Sequence, residues 1–453
     1  MGMHIRSGDT PAYTQDFARF VAGLQFSDLP SAVVHSGRRG ILDWLGCALA
    51  ACRHPTLDRL IAVLQENGGG TQATVLARKL RLSHVDAALV NGQMGHLLDY
   101  DDTHMGGVVL HASSPLLSAL LSASERGSVS GAELLLAYVC GFEAGVRVGQ
   151  SSPAHHAGGW HLTGTLGTFA AAAAVGRLIG LDAQQMTHAL GIAGTQASGM
   201  QQNRGTMCKS FHAGRAGSNG LLAALLAQKG FDSSEEIVEG KRGFSRIYST
   251  TSAPERMTAD LGSEWMIATN GYKPYACGVV IHPAIDAMIA LHRQPGFAAD
   301  QVESIELRVH PLVVAITGTA APTTGLHSKF SIYHSVAVAL VDGDAGIAQY
   351  TDSRAADPLV GALRGRITVA VDDGFRRDEA AARLLLRNGE VREVHVEHAT
   401  GTVDNPMSDE ALQTKFMANA TPALGEAAAR EVSDMVWALD RMSDVRELIG
   451  ACA

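Results

Sequence analysis

The densest group of acidic and basic side chains in this sequence lies in the segment 97–115, LLDYDDTHMGGVVLHASSP. Asp99, Thr103 and His111 stand there with two further aspartates and a further histidine. Clustered carboxylates and imidazoles hold one another at protonation states that suit acid/base chemistry. A calcium loop is excluded, because His104 stands where such a loop needs a glycine. Capping of a helix end by aspartate and threonine on a solvated loop is an equal alternative.

A histidine precedes a glycine- and threonine-rich stretch in the segment 158–168, GGWHLTGTLGT. Backbone N–H groups at such a helix start bind anions, so His161 is a candidate for acid/base chemistry beside a bound anion. A hydrogen-bonded core histidine is the alternative, and this segment alone favours it.

Basic side chains recur at three-residue intervals in the segment 204–220, RGTMCKSFHAGRAGSNG, at Lys209, His212 and Arg215. On a helix this spacing predicts that the three lie on one side. Because 45 acidic residues outnumber 36 basic ones and the net charge is −9, such a concentration indicates a carboxylate-binding patch. A solvated basic face is the commoner alternative, although the small neighbouring residues argue for the patch.

The fourth group lies in the segment 270–286, NGYKPYACGVVIHPAID. Lys273 and Tyr275 flank a proline there, and His282 precedes another, so the backbone around these titratable groups is restricted. An ordinary linker between two domains is the alternative, and both interpretations hold together because sites often lie between domains. Cys277 is not a predicted nucleophile, because nothing in the sequence lowers its pKa.

Several common functional classes are excluded by what the sequence lacks. It has no GxGxxG after a strand, no GxxxxGK[ST], no HExxH and no GxSxG, which leaves side-chain acid/base chemistry. The six cysteines form no CxxC pair, so free thiols are expected. The sequence has no Lys/Arg-rich block, which argues against nucleic acid or an anionic membrane surface as a partner. The N-terminal MGMHIRSGDTPAYTQDF has no apolar signal core and no apolar run spans a membrane, which predicts a cytoplasmic protein.

The elements that must position these side chains are helical over the first half of the chain. Apolar residues recur at three- and four-residue spacing from about residue 16 to about residue 230. The stretch 164–181 contains five consecutive alanines, which let neighbouring helices approach closely. We expect that helix to be buried on most sides.

Beyond Pro295 the apolar residues alternate as in half-buried strands. Alternation predicts strands at 304–311, 365–373 and 390–400, with a helix at 330–343 closed by Asp342-Gly343. Helical spacing returns near the C-terminus, and a chain of 453 residues favours two domains. We therefore predict a mainly α fold with a large all-helical domain and an inserted smaller α+β lid domain, assigned to residues 1–265 completed by 405–453 and to 266–404.

Taken together, five segments resemble successive signature blocks of the MmgE/PrpD family, which includes 2-methylcitrate dehydratases and cis-aconitate decarboxylases. The blocks are DYDDTH with the following His111, GWHLTGTLGTFAAAAA, GTMCKSFHAGRA, YKPYACGVVIHPAID and KFSIYHSVAVALVDG. Their order and spacing match over nearly the whole chain. The resemblance implies a homodimer, a site between the domains, no metal and no cofactor, and a small anionic polycarboxylate as substrate. Family members dehydrate 2-methylcitrate, decarboxylate cis-aconitate or epimerise iminodisuccinate.

The resemblance also assigns site residues. Together with the clusters above, it predicts catalytic roles for His111, His161, Lys209 and Lys273, and substrate-binding roles for Asp99, Thr103, His212, Arg215, Tyr275 and His282. Two positions depart from the family pattern: Ala112 replaces the proline of His-Pro-Ser, and His104 replaces a tryptophan. The second departure argues against the decarboxylase.

The chemistry shared by the family is proton abstraction beside a carboxylate. It places two negative charges on that group, which calls for preorganised cations in a site poor in water. Lys209 and Lys273 are the predicted cations, and His111 or His161 the predicted base. We therefore predict a lyase of the 2-methylcitrate dehydratase type, with an epimerase or a cis-aconitate-type decarboxylase as alternatives. A non-catalytic carboxylate-binding protein is the rival from a different class.

Overall fold

The first half of the chain is helical, as the spacing of its apolar residues predicts. The computed structural model describes residues 11–453, so the start of the predicted helical domain and ten residues of the segment expected to lack a signal core lie outside the described residues. The helices of this half are α1 (Tyr13–Gly23), α2 (Ser31–Ala51), α3 (Pro55–Glu66), α4 (His84–His96), α5 (Ser113–Ser124), α6 (Gly131–Gln150), α7 (Leu162–Leu178), α8 (Ala183–Gly194) and α9 (Met207–Gln228).

Helix α7 is the centre of this helical part. Its residues 162–176 are all buried, and it packs against α5, α6, α8 and α9. The five alanines 170–174 have no volume beyond a methyl group, so the flanking helices come close: the Cβ of Ala171 lies where a side chain on Gly220 would begin. The predicted burial of this helix is confirmed.

Side-chain caps set where the helices that carry site residues begin. Ser83 accepts a hydrogen bond from the backbone N–H of Asp86 at the start of α4, and Thr206 accepts one from Cys208 at the start of α9. Each cap satisfies a backbone donor that the helix itself leaves free. Helix α9 therefore begins two residues before Lys209, and helix α4 runs from its cap at Ser83 to His96.

The second half of the chain mixes helices and strands. One four-stranded sheet has the strand order β6-β5-β7-β8, with β5 and β6 parallel and the other pairs antiparallel. The helix His282–His292, α11, packs on β7 and β8. Two short ladders lie elsewhere: β1 with β2, and β3 with β4. The strands are β1 (Ala73–Val75), β2 (Leu80–Leu82), β3 (Thr103–His104), β4 (Asn270–Gly271), β5 (Val302–Val309), β6 (Ile367–Val371), β7 (Ala380–Leu386) and β8 (Val391–Val396).

The remaining helices lie between these strands or follow them in the chain. They are α10 (Phe244–Ile247), α11 (His282–His292), α12 (Pro311–Thr317), α13 (Gly325–Ser328), α14 (Ile332–Asp342), α15 (Asp352–Ala355), α16 (Pro358–Arg364), α17 (Asp409–Leu424), α18 (Glu426–Trp437) and α19 (Arg446–Ala451). Helix α17 returns to the first half and packs against α2. The mainly α fold with a smaller α+β part is confirmed, whereas the domain limits stay a prediction. In the described part of the chain no helix has both the length and the apolar character that crossing a lipid bilayer requires.

Strand β7 is the strand of the four-stranded sheet that sequence patterning missed, and the short strands β1, β2, β3 and β4 were missed as well. Its sequence AAARLLL consists of good helix formers and shows only a short alternation. In the fold it lies between β5 and β8, and its alternate residues from Ala380 to Leu386 are buried. Pairing on both edges therefore outweighs the local preference of these residues for a helix.

Candidate active site

The site is centred on the carboxylate of Asp99, between α4 and β3. Lys273 Nζ lies 2.5 Å from Asp99 Oδ1 and 3.0 Å from its backbone oxygen, and Lys209 Nζ lies 3.0 Å from Oδ2. Asp99 is 4% exposed and Lys273 1% exposed. Burial acts to raise the pKa of Asp99, but the two ammonium groups outweigh it and hold that pKa well below its usual range. Two cations thus share one anion.

The fold brings these three residues together through one helix start and one short ladder. Lys209 lies in the first turn of α9, and Lys273 follows β4, which pairs with β3 through Thr103 and Gly271. Asp99 itself has a φ of 53°, in the left-handed region that a non-glycine residue rarely occupies. Its carboxylate is therefore aimed by the backbone as well as by the lysines.

Four histidines surround this ion cluster. The ring centres of His96 and His111 lie 4.7 Å apart, those of His96 and His161 5.6 Å, and those of His161 and His212 5.2 Å. Burial lowers the pKa of His111 and of His161 well below the ordinary value, and lowers that of His212 to about 4. The nearby lysine charge acts in the same direction. These imidazoles are therefore neutral at pH 7 and able to accept a proton.

The hydrogen bonds of His111 define which of its nitrogens is free. Its Nδ1 lies 3.0 Å from the backbone oxygen of Asp102 and 3.0 Å from Oγ1 of Thr103. A carbonyl oxygen only accepts, so we assign the proton to Nδ1. Nε2 then carries the lone pair, which makes this nitrogen a base.

His161 and His212 form a second proton-handling unit. Their Nδ1 atoms lie 3.0 Å apart, so one of them donates and the other accepts. The Nε2 atom of His161 is buried without a hydrogen-bond partner within the part of the chain that the structure describes. An unpaired buried nitrogen next to cationic groups suits contact with a bound anion or a transferred proton.

His96 and Asp101 belong to the cluster although the sequence patterns did not identify them as site residues. Nδ1 of His96 lies 2.8 Å from Oδ2 of Asp101, and both side chains are fully buried. Asp101 also accepts a hydrogen bond from Ser114 Oγ at 3.0 Å. A sequence signal for this pair exists: His96 is the last residue of α4, and Asp101 follows it by only five residues in the acidic run.

Three of these histidines could hold a metal ion by geometry alone, since ring nitrogens of His96, His111 and His161 lie within 4.8 Å of one another. The charge around them argues against a cation. Burial is the largest cause that lowers the pKa of each ring, and Lys209 acts in the same direction on all three. Asp101 opposes it at His96 and His111. The ammonium groups of Lys209 and Lys273 beside the rings favour an anion such as a carboxylate.

Two predicted substrate-binding residues lie near Lys273 but in different surroundings. The Tyr275 hydroxyl donates to Asp286 Oδ1 at 2.5 Å, so it is committed to the α+β part. His282 is buried, and among the described residues its Nε2 has no hydrogen-bond partner. Burial, with the charge of Lys273 next in size, lowers its pKa to about 3. The rings of Tyr275 and His282 meet edge to face at 5.3 Å.

The prediction that Arg215 shares one helix face with Lys209 and His212 is wrong, whereas its substrate-binding role stays a prediction. Arg215 is exposed, whereas Lys209 and His212 are buried. Arg215 lies six steps after Lys209, and six steps of about 100° turn a helix by roughly 600°, so the two side chains point about 120° apart. Three-residue intervals hold one face only over a single step, and Arg215 does not join the cluster.

His104 also lies outside the cluster. Its Nδ1 lies 2.7 Å from the backbone oxygen of Val108, and its Nε2 lies 2.8 Å from Thr269 Oγ1. Neighbouring residues of a strand point in opposite directions, so Thr103 faces His111 while His104 faces away. Its departure from the family pattern therefore affects packing around β3 and β4.

The comparisons with known proteins agree with these observations. The models of the MmgE/PrpD N-terminal and C-terminal domains match residues 15–257 and 275–441. The chain is 29% identical to a cis-aconitate decarboxylase of Aspergillus terreus, over 96% of this chain and 95% of that protein. It is 26% identical to the cis-aconitate decarboxylase of Mus musculus, over 95% and 91%, and 26% identical to a 2-methylcitrate dehydratase of Cupriavidus necator, over 76% and 74%. The two domain models together cover most of the sequence, and the chain therefore belongs to the MmgE/PrpD family.

Proposed function

We propose that this chain is a lyase that forms a carbanion next to a carboxylate of a small polycarboxylate. The observation that carries the proposal is the buried placement of two ammonium groups, Lys209 and Lys273, beside the neutral imidazoles of His111 and His161. The substrate class rests on the decarboxylases and dehydratases to which the chain is similar.

The two lysines are suited to the charge that the reaction creates. A carbanion beside a carboxylate delocalises onto its oxygens, which then carry a second negative charge. In a buried site the attraction between this charge and fixed ammonium groups is far stronger than in water. Asp99 holds both ammonium groups in place before the substrate arrives.

Decarboxylation is the outcome that we place first. In that reaction a carbon–carbon bond breaks, carbon dioxide leaves, and the electron pair stays on carbon. An imidazole of the His161 and His212 pair, protonated from solvent, then gives its proton to that carbon and returns to the neutral form. Full-length similarity to cis-aconitate decarboxylases supports it, since the dehydratases match only about three quarters of the chain. His104, which argued against a decarboxylase, faces away from the cluster.

Dehydration is the second candidate, and the pair of neutral histidines favours it. One imidazole takes the proton next to the carboxylate, the carbon–oxygen bond breaks, and the leaving hydroxide takes a proton to become water. His111 has the free Nε2 that takes the proton in the first step, and the imidazolium so formed gives that proton to the leaving hydroxide in the second. An alkene is the product.

A product panel distinguishes these reactions. The purified chain is incubated in deuterated water with cis-aconitate, 2-methylcitrate and iminodisuccinate, and carbon dioxide, new alkene and deuterium in recovered substrate are measured. We expect carbon dioxide from cis-aconitate, or alkene from 2-methylcitrate for the second candidate. Deuterium and inversion without alkene would instead identify an epimerase. Binding of all three without turnover would contradict a lyase and support a non-catalytic carboxylate-binding protein.

Two variants test the assignment of roles. K209A removes one of the two cations and should lose most turnover in either reaction. H111A removes the base that dehydration needs and should lose most alkene formation. K229M, which changes an exposed lysine at the far end of α9, is the matched control and should keep full turnover. If H111A and K209A both retain full turnover, the reaction takes place elsewhere.

A further inference from the structure

One buried lysine has no place in the chemistry described so far. Lys329, between α13 and α14, is 3% exposed. Its Nζ donates a hydrogen bond to the backbone oxygen of Ala276 at 2.7 Å and lies 4.9 Å from the centre of the Tyr350 ring. An ammonium group has three N–H donors, and this carbonyl uses one of them.

Lys329 differs from the other buried lysines because none of the carboxylates in the described residues pairs with it. Lys209 and Lys273 pair with Asp99, and Lys415 pairs with Asp43 at 2.6 Å. Within residues 11–453 no carboxylate oxygen lies within 4.0 Å of Lys329 Nζ. A buried charge is unfavourable unless an opposite charge accompanies it. Burial accordingly lowers the pKa of Lys329 to about 8, against the opposing effect of Asp99.

The surroundings of Lys329 connect it to both site lysines. Ala276 lies three residues after Lys273, and the backbone N–H of Gly278 donates to the Lys329 oxygen at 3.1 Å. The next residue, Phe330, places its ring 5.6 Å from Nζ of Lys209. The segment that carries Lys329 therefore touches the loop of Lys273 and the start of α9 at once.

We propose that Lys329 binds a second carboxylate of the substrate, the one that does not react, from the α+β side of the site. The inference rests on the proposed function, in which Lys209 and Lys273 hold the reacting carboxylate. A second carboxylate supplies the negative charge that the protein itself does not place beside Lys329. In this arrangement Lys329 makes the site selective for substrates with a carboxylate on each side of the reacting carbon.

The test compares two unreactive ligands that differ by one carboxylate. Tricarballylate carries three carboxylates, and 2-methylsuccinate has a methyl group in place of one carboxymethyl arm. Binding of each is measured by calorimetry for the unmodified chain, K329M, K329R and the exposed-lysine control K229M. We expect K329M to weaken tricarballylate about 10- to 100-fold, the range for a hydrogen bond to a charged group, and 2-methylsuccinate less than about twofold. K329R should recover most of the affinity for tricarballylate, and K229M should change neither ligand.

A purely structural role for Lys329 gives a different result. If the ammonium only anchors Ala276, K329M weakens both ligands to the same extent or neither, and the inference is overturned while the proposed function stands. If the unmodified chain binds neither ligand and turns over no polycarboxylate, the proposed function fails first. Should K329M not fold by circular dichroism, K329Q keeps a donor for the Ala276 carbonyl and replaces it in the same comparison.

Discussion

At the scale of single residues, Asp99 organises the site by holding two cations that would otherwise repel each other. Its two carboxylate oxygens meet Lys209 and Lys273 separately, and its left-handed backbone directs them. Removing one partner of a buried ion cluster leaves the remaining charge uncompensated, which is more costly than losing a surface pair. The aspartate is therefore a positioning residue for the lysines.

Replacing Asp99 by asparagine tests this role. D99N keeps the shape but loses the charge, so kcat/KM should fall by about 10²-fold or more and the free energy of unfolding by about 3–5 kcal/mol. Steady-state kinetics and urea unfolding measure the two effects. D260N is the matched control, since Asp260 also has a positive φ but is exposed. Wild-type activity in D99N would show that the lysines do not need this carboxylate.

The buried histidines predict how activity depends on pH. The pKa values of His111 and His161 are lowered, so both imidazoles remain neutral as the pH falls through 6.5 and become protonated only in more acidic solution. For dehydration we expect kcat/KM to decline only below pH 6.5, the ordinary pKa of an imidazole, because the base must be neutral to accept a proton. A pH–rate profile from 4.5 to 8 measures it, with H395N, at an exposed histidine, as the control. An acid limb centred at or above pH 6.5 would contradict a desolvated base.

At the scale of elements, the distance between α4 and α9 decides whether His96 and Lys209 stand at one site. The two helices approach so closely that a Cβ on Gly214 would overlap the Leu89 carbonyl oxygen and lie 2.8 Å from the Gln93 nitrogen. These neighbours are backbone atoms, which cannot rotate aside as a side chain can. The glycine is required by packing of the helices.

Replacing Gly214 by alanine should push these helices apart. We expect G214A to lose about 1–3 kcal/mol of stability, as overpacking does, and to lower kcat/KM because His96 shifts relative to Lys209. Thermal unfolding and kinetics measure both. G450A is the control, since a Cβ at that helical position meets nothing within 4 Å and should stabilise α19 slightly. Equal stability of G214A and the wild type would disprove the tight contact.

At the scale of the whole molecule, the C-terminal helices complete the helical part instead of extending the α+β part. Lys415 of α17 pairs with buried Asp43 of α2 and donates to the Tyr100 backbone oxygen at 2.7 Å, next to Asp99. Burial acts to raise the pKa of Asp43, and Lys415 opposes it. Helix α17 thus holds the backbone next to Asp99 in place.

Removing this ion pair should destabilise the entire helical part. K415M leaves Asp43 buried without its partner, so we expect a loss of about 3–5 kcal/mol and a lower midpoint of urea unfolding. R430M breaks an exposed pair with Glu426 and should cost at most about 0.5 kcal/mol. Similar midpoints for the two variants would mean that the buried pair contributes no more than the exposed one.

The homodimer and the cytoplasmic location implied earlier remain predictions. Sedimentation velocity measures the oligomeric state.

The sequence by itself determined the helices of the first half and the alternating strands of the second. It also located the four segments in which the polar side chains of the site are concentrated. Period and residue type are local properties, and local properties suffice to predict an amphipathic helix or an unusual concentration of titratable groups. The family blocks further assigned Asp99, His111, His161, Lys209 and Lys273, all of which meet in the fold.

Only the tertiary structure decided which of the predicted groups face one another. Asp99 and Lys273 are 174 positions apart, so no window of sequence contains their pairing. The turn of α9 directs Arg215 to solvent and the pleat of β3 turns His104 away, while β7 is a strand because it has neighbours on both edges. Burial, which depends on all surrounding elements together, keeps the histidines neutral. It also encloses Lys329, for which residues 11–453 provide no carboxylate partner.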